Sequence, residues 1–154
     1  MEAGLGQLLL NLAIASAMVA LTVVVHFWGL IALTRIVSGG SEKLRAHEGA
    51  GRAALVIVLG VFGVFALHTV EIWLYAALYR VVLIETQSFE EALYFSTVTF
   101  ASLGYGDIVL SPRWRLISAI EAANGVILFA WSTAFLFTLT RRLNLIERDW
   151  LERD

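Results

Sequence analysis

The stretch TVTFASLGYGDI, Thr97 to Ile108, places two glycines, a tyrosine and an aspartate close together between two apolar runs. Each run is long enough to cross a membrane, since a helix rising about 1.5 Å per residue needs roughly 20 apolar residues to span the hydrocarbon. Just upstream, Ser88 is followed three residues later by Glu91, which is a capping box, and Glu90 and Glu91 suit the positive end of a helix dipole. This predicts a short helix starting near Phe89. About a dozen helical residues advance roughly 18 Å, which carries the chain halfway into a bilayer and no further. The return path is SLGYGD. Non-helical backbone at that depth leaves amides and carbonyls without partners unless it is buried in protein or lines a watery path. Carbonyls aimed at an axis can replace an ion's hydration shell. Gly104 and Gly106 supply the backbone freedom, positive φ included, that lets successive carbonyls point the same way.

Composition sets the wider frame. Of 154 residues, 59% are hydrophobic and 16% charged, and the mean hydropathy is +0.79, which is more apolar surface than a small water-soluble domain can hide. A lipid bilayer is therefore the expected surrounding. The formal net charge of -2 argues against a nucleic-acid partner, and the absence of cysteine removes disulfides and thiolate chemistry. The expected spans are about Leu8 to Ile36, Ala53 to Leu83 and Trp114 to Leu139. The first is too long for a signal h-region and lacks a basic n-region. Arg35, Lys43, Arg45 and Arg52 follow it, and Arg141, Arg142, Arg148 and Arg153 follow the third, against Arg80, Arg113 and Arg115 on the other side. Basic-rich sides are cytoplasmic. The expectation is a multi-pass protein of the cell membrane with its N-terminus outside and its C-terminus cytoplasmic.

The segment TFASLGYGD, Thr99 to Asp107, resembles the potassium-channel signature T-x-x-T-V-G-Y-G-D, and the preceding helix and following span resemble that family's pore helix and inner helix. The likeness covers about Ala53 to Arg142. It implies an all-α membrane protein, a homotetramer whose subunits each have three transmembrane helices plus a re-entrant pore helix and filter loop. On this reading residues 1–37 are an extra N-terminal transmembrane helix, 38–52 a cytoplasmic loop, 53–142 the pore domain and 143–154 a short cytoplasmic tail. The implied filter is Ser102, Leu103, Gly104, Tyr105 and Gly106. Carbonyls of the first four and the Ser102 hydroxyl would hold K+ ions, with no organic cofactor, and Tyr105 would turn its ring outward to Tyr94 and Phe95. Ser102 stands for the usual threonine, keeping the hydroxyl and losing the methyl. Leu103 stands for the usual valine. Asp107 lies at the implied outer mouth, where the family's tryptophan and glutamate partners correspond to Tyr94 and Val98, so the tyrosine hydroxyl can still donate and the carboxylate partner is missing.

In the third span Gly125 falls at the family's hinge position. A mid-helix glycine costs about 1 kcal/mol unless it bends or packs closely. Val126, Phe129, Thr133 and Phe137 fall on roughly one face. By resemblance Val126, Thr133 and Phe137 look into the cavity or bundle crossing, while Phe129 packs toward the pore helix. A ring of four Phe137 side chains could close the pore by dewetting, with ordinary packing as the competing reading. His68, Glu71, Glu121 and Asn124 form an expected intramembrane polar cluster between outer and inner helices, either a structural clasp or a protonation-linked gate. His26, alone in the first span, reads as a packing residue. Ala13, Ala15, Ser16, Ala17 and Ala20 could pack that span on the outer helix of its own or a neighbouring subunit.

No span carries arginine at every third position, which excludes a voltage sensor. The length leaves no room for a soluble ligand domain. Leu143, Ile146 and Trp150 form one stripe of the tail, suited to bundling at the axis or lying on the membrane. No nucleophile–base pair, metal-ligand cluster or phosphate loop is visible, and the histidines lie far apart in sequence, so an enzyme is not expected. The remaining alternatives are a weakly selective monovalent cation channel and, behind it, an accessory membrane subunit.

Overall fold

The computed structural model describes residues 2–41 and 50–142. Four helices run in the order α1 (Glu2–Ser41), α2 (Ala50–Ala77), α3 (Phe89–Phe100) and α4 (Arg115–Arg142), with one π-turn, Leu78–Val82, closing α2. Among the described residues there is no strand. Segments Gly4–Val37, Ala54–Val82 and Arg115–Arg141 are long and apolar enough to cross a membrane. The helices outrun the apolar stretches at several ends, because intrahelical hydrogen bonds persist where side chains turn polar. The expected loop cations Lys43 and Arg45, the tail stripe Leu143, Ile146 and Trp150, and Arg148 and Arg153 lie outside the described residues.

Helices α1 and α2 pack antiparallel, with His26 opposite Glu71, Gly29 opposite Leu67 and Leu33 opposite Gly63. A Cβ at Gly29 or Gly63 would run into the leucine facing it. The close approach thus rests on two glycines. Of the small residues expected to make it, Ala15 is buried, whereas Ala13, Ser16, Ala17 and Ala20 are exposed.

Helix α3 is held in the angle between α2 and α4. Its start follows the capping signal: Glu91 N–H donates to Ser88 Oγ at 3.0 Å. The reciprocal bond is displaced by one residue, since the Glu91 carboxylate accepts from Gln87 N–H at 2.7 Å. Wholly buried Tyr75, Tyr79, Phe100, Ile117 and Leu128 form the centre of the packing. Helix α4 divides cleanly into two faces. Glu121, Asn124, Gly125, Leu128, Ser132 and Leu139 are buried, and Val126, Thr133 and Phe137 are exposed in the single chain. This is the 3.6-residue period written in polar as well as apolar residues.

Gly125 is explained by contact. Helix α4 is continuous through it, and a Cβ there would collide with the Phe100 carbonyl oxygen at the end of α3. The residue read from the sequence as a hinge lets α4 approach the last turn of α3. Because backbone, not a flexible side chain, blocks the added methyl, Gly125→Ala is expected to destabilise by about 1–3 kcal/mol. The thermal unfolding midpoint in detergent should fall for Gly125→Ala and hold or rise for Gly51→Ala, which has nothing within 4 Å of its added carbon.

Candidate functional site

The loop leaving α3 pairs the N–H groups of its first residues and leaves their carbonyls open. The N–H groups turn back to the helix end: Ala101 donates to the Thr97 carbonyl at 3.1 Å, Ser102 to Thr99 at 2.9 Å, and Leu103 and Gly104 to Val98 at 2.9 and 3.4 Å. Among the described residues no carbonyl from 102 to 106 accepts a hydrogen bond, and residues 102–107 are exposed in the single chain. The backbone also alternates in hand. Ser102, Gly104 and Gly106 have φ of 56°, 55° and 77°, while Leu103 and Tyr105 between them are not left-handed. Such alternation turns successive N–H groups to one side, and the carbonyls to the other. The glycines adopt these angles freely. At Ser102 a β-branched threonine would be a conformational outlier, which gives a physical reason for serine there.

The implied outer mouth is fastened by side chains. Tyr94 Oη donates to Asp107 Oδ2 at 2.6 Å, and Ile108 N–H donates to Oδ1 at 3.1 Å. Glu85, after the π-turn, accepts from Ser111 N–H at 2.8 Å and from Ser111 Oγ at 3.0 Å. Asn11 of α1 donates to the Arg113 carbonyl at 2.7 Å, which puts the start of α1 on the same side as Asp107. Behind the loop lies a recess of about 340 Å³, lined in part by Tyr94, Phe95, Val98, Ser102, Tyr105 and Ala122. Tyr105 is 67% exposed, so its own chain does not enclose the ring.

The polar residues inside the spans do not make one cluster. Glu121 is wholly buried and accepts from Ser96 Oγ at 2.6 Å and Tyr79 Oη at 2.5 Å, joining α4 to α3 and to the π-turn. Asn124 donates to Thr22 Oγ1 at 2.8 Å and reaches Tyr75 Oη at 3.3 Å, joining α4 to α1 and α2. His68 and Glu71 lie elsewhere, with Ser132 and with His26. The expectation that His26 stands alone is therefore corrected: its Nδ1 lies 2.8 Å from Glu71 Oε1. The antiparallel register of α1 and α2 puts it there. Phe129 packs edge-on against Phe100 with ring centroids 5.5 Å apart, toward α3 as expected. Sequence reading missed Thr22, Tyr75, Tyr79, Ser96 and Ser132. A signal did exist, since Thr22 and His26 share a face of an otherwise apolar helix, as do Glu121 and Ser132.

A family model described as an ion channel matches residues 64–142, a little over half of the chain. It spans the second half of α2, α3, the loop and α4. No curated protein and no solved structure matches the chain.

The hydroxyl donated by Tyr94, followed by nearby backbone N–H groups, holds the Asp107 carboxyl below the usual carboxylate range, and the same bond raises the Tyr94 phenol. A lowered carboxylate pKa means that the fastening is present above that value and is lost as pH falls through it. Tyr94→Phe should return the Asp107 titration, followed by carboxyl carbon NMR in detergent, toward the ordinary value. An unchanged titration would show that the hydroxyl does not set it.

Proposed function

The chain belongs to the ion channel family, and from that premise we propose that four copies assemble around an axis as a potassium-selective channel. As a multi-pass membrane channel it is not an enzyme. The observation that carries the finer reading is the division of labour in the loop, where the N–H groups of residues 102–104 are spent on α3 and, among the described residues, the carbonyls of 102–106 have no partner. One chain offers a single strip of such oxygens, and closed symmetry multiplies it into a cage. The carbonyls of Ser102, Leu103, Gly104 and Tyr105, with the Ser102 hydroxyl, would then take the place of water around K+. The negative end of the α3 dipole lies at the inner end of this strip, where a cation is favoured.

Asp107 and Tyr94 would stand at the outer mouth. The exposed α4 face of Val126, Thr133 and Phe137 would line the cavity and its inner constriction. The basic residues after the first and third spans favour a cytoplasmic C-terminus and an external N-terminus. A weakly selective monovalent cation channel is the second reading, favoured by Leu103 where β-branching would stiffen the loop.

Purified protein in planar bilayers under opposed K+ and Na+ gradients is the test. Reversal near the K+ equilibrium potential, with a fourfold mass by native mass spectrometry, is expected. Reversal indifferent to exchanging the two ions would favour the second reading, and an assembly other than fourfold would overturn the proposal. Gly104→Ala should abolish current, since its φ of 55° costs an L-residue about 1–2 kcal/mol. Phe137→Ala should raise open probability in single-channel records if the four rings close the pore. Unchanged gating would make Phe137 a packing residue.

A further inference from the structure

His26 of α1 and His68 and Glu71 of α2 meet inside the helix bundle, all buried, with Glu71 and His26 wholly so. Among the described residues the only ionic neighbours of Glu71 are the two imidazoles. Each ring turns Nδ1 to one carboxylate oxygen at 2.8 Å. Each also turns Nε2 to the Ser132 hydroxyl of α4, at 2.9 Å for His68 and 3.4 Å for His26. Aromatic rings close the surroundings, with Trp131 beside His26, and Phe100 and Phe129 beside His68.

The hydrogens do not suffice for these contacts. A neutral imidazole carries one N–H and a serine one O–H, so three hydrogens are shared among four nitrogen–oxygen contacts. A buried polar contact lacking its hydrogen is costly.

We propose that this cluster is a binding site for a divalent transition-metal ion of the zinc class, held by Nδ1 of His26, Nδ1 of His68 and the carboxylate of Glu71. The ion replaces the hydrogens that both Nδ1 contacts would need. Both Nε2–H groups then donate to the Ser132 oxygen, the outer partner that metal-bound histidines ordinarily have. The three donor atoms already lie within 4.8 Å of one another. Zinc at about 2.0–2.1 Å from each ligand sets tetrahedral donors roughly 3.3 Å apart, so the rings retract by about half an ångström from Glu71. Imidazole and carboxylate donors without thiolate suit Zn2+ or Co2+ better than soft ions. Three protein ligands leave a fourth position, where hydroxide or chloride brings the site to neutrality. The bound ion staples α1 to α2 and, through Ser132, to α4, at a place separate from the carbonyl loop.

The test uses full-length protein without a polyhistidine tag, stripped by chelator in detergent, reloaded with ZnCl2 and desalted. Elemental analysis should give one zinc per subunit, and cobalt loading should give the visible absorption of a tetrahedral site. His26→Gln and His68→Gln should each weaken zinc binding at least tenfold. Ser132→Ala, acting through the rings, should weaken it about tenfold while the cobalt bands persist at saturation. His47→Gln should bind as wild type, and zinc should raise the unfolding midpoint of wild type alone among the ligand variants. Substoichiometric zinc, no cobalt bands on folded wild type, undiminished binding in the His26→Gln/His68→Gln double variant, or loss in His47→Gln would each overturn the proposal. So would a folded wild type that takes up no metal but unfolds with a midpoint set by pH, since a proton would then supply the missing hydrogen. Should the histidine variants fail to fold, the wild-type stoichiometry and cobalt spectrum still decide.

Discussion

Backbone that leaves the helix at membrane depth must find a partner for each amide and each carbonyl, because hydrocarbon offers none. In this chain the loop after α3 meets part of that demand internally. The last carbonyls of α3, which any helix leaves unpaired, accept the N–H groups of residues 101–104. The helix end and the first residues of the loop thus cancel each other's deficits, and among the described residues the carbonyls of 102–106 accept no hydrogen bond. A channel family that conducts ions needs that surplus. The backbone alternates in hand at Ser102, Gly104 and Gly106, in the loop that begins where the short α3 ends at Phe100.

The rest of the fold holds α3 at that place. Gly125 admits the Phe100 carbonyl against α4, Glu121 takes hydroxyls from Ser96 and Tyr79, and Asn124 reaches Thr22 and Tyr75. Apolar packing alone gives little direction inside lipid, since the tails are as apolar as the side chains, and interhelical hydrogen bonds and small-residue contacts do more of the orienting. The buried face of α4 follows that logic. Glu121 faces α3 and the π-turn while Asn124 and Ser132 face α1 and α2, so a rotation of α4 about its axis would strand several of them together. The opposite face, with Val126, Thr133 and Phe137, carries no such obligation and is free to line a space.

The first helix is a working part of this arrangement. Thr22 and His26 bring α1 into two of the polar groups, and Asn11 ties its first half to the carbonyl of Arg113. An added span that merely filled lipid-facing surface would need none of these contacts. Helix α1 therefore contacts Arg113 just before α4, the Asn124 group and the Glu71 group along one helix.

The local signals were legible in the sequence. Ser88 with Glu91 marked the start of α3, three apolar runs marked the spans, and the glycine–tyrosine stretch marked a non-helical return, because each depends on residues only a few positions apart. The pairing of His26 with Glu71, 45 residues away, and its approach to Ser132, 106 residues away, were not. Those contacts follow from helix registers set by Gly29, Gly63 and Gly125, and a glycine in a sequence does not say whether it bends a helix or admits a neighbour. Sequence by itself determined that the chain crosses the membrane three times around a half-length helix, since hydropathy and capping act within one segment. Which buried polar groups meet was decided only by the tertiary structure, since it depends on the relative rotation and sliding of whole helices.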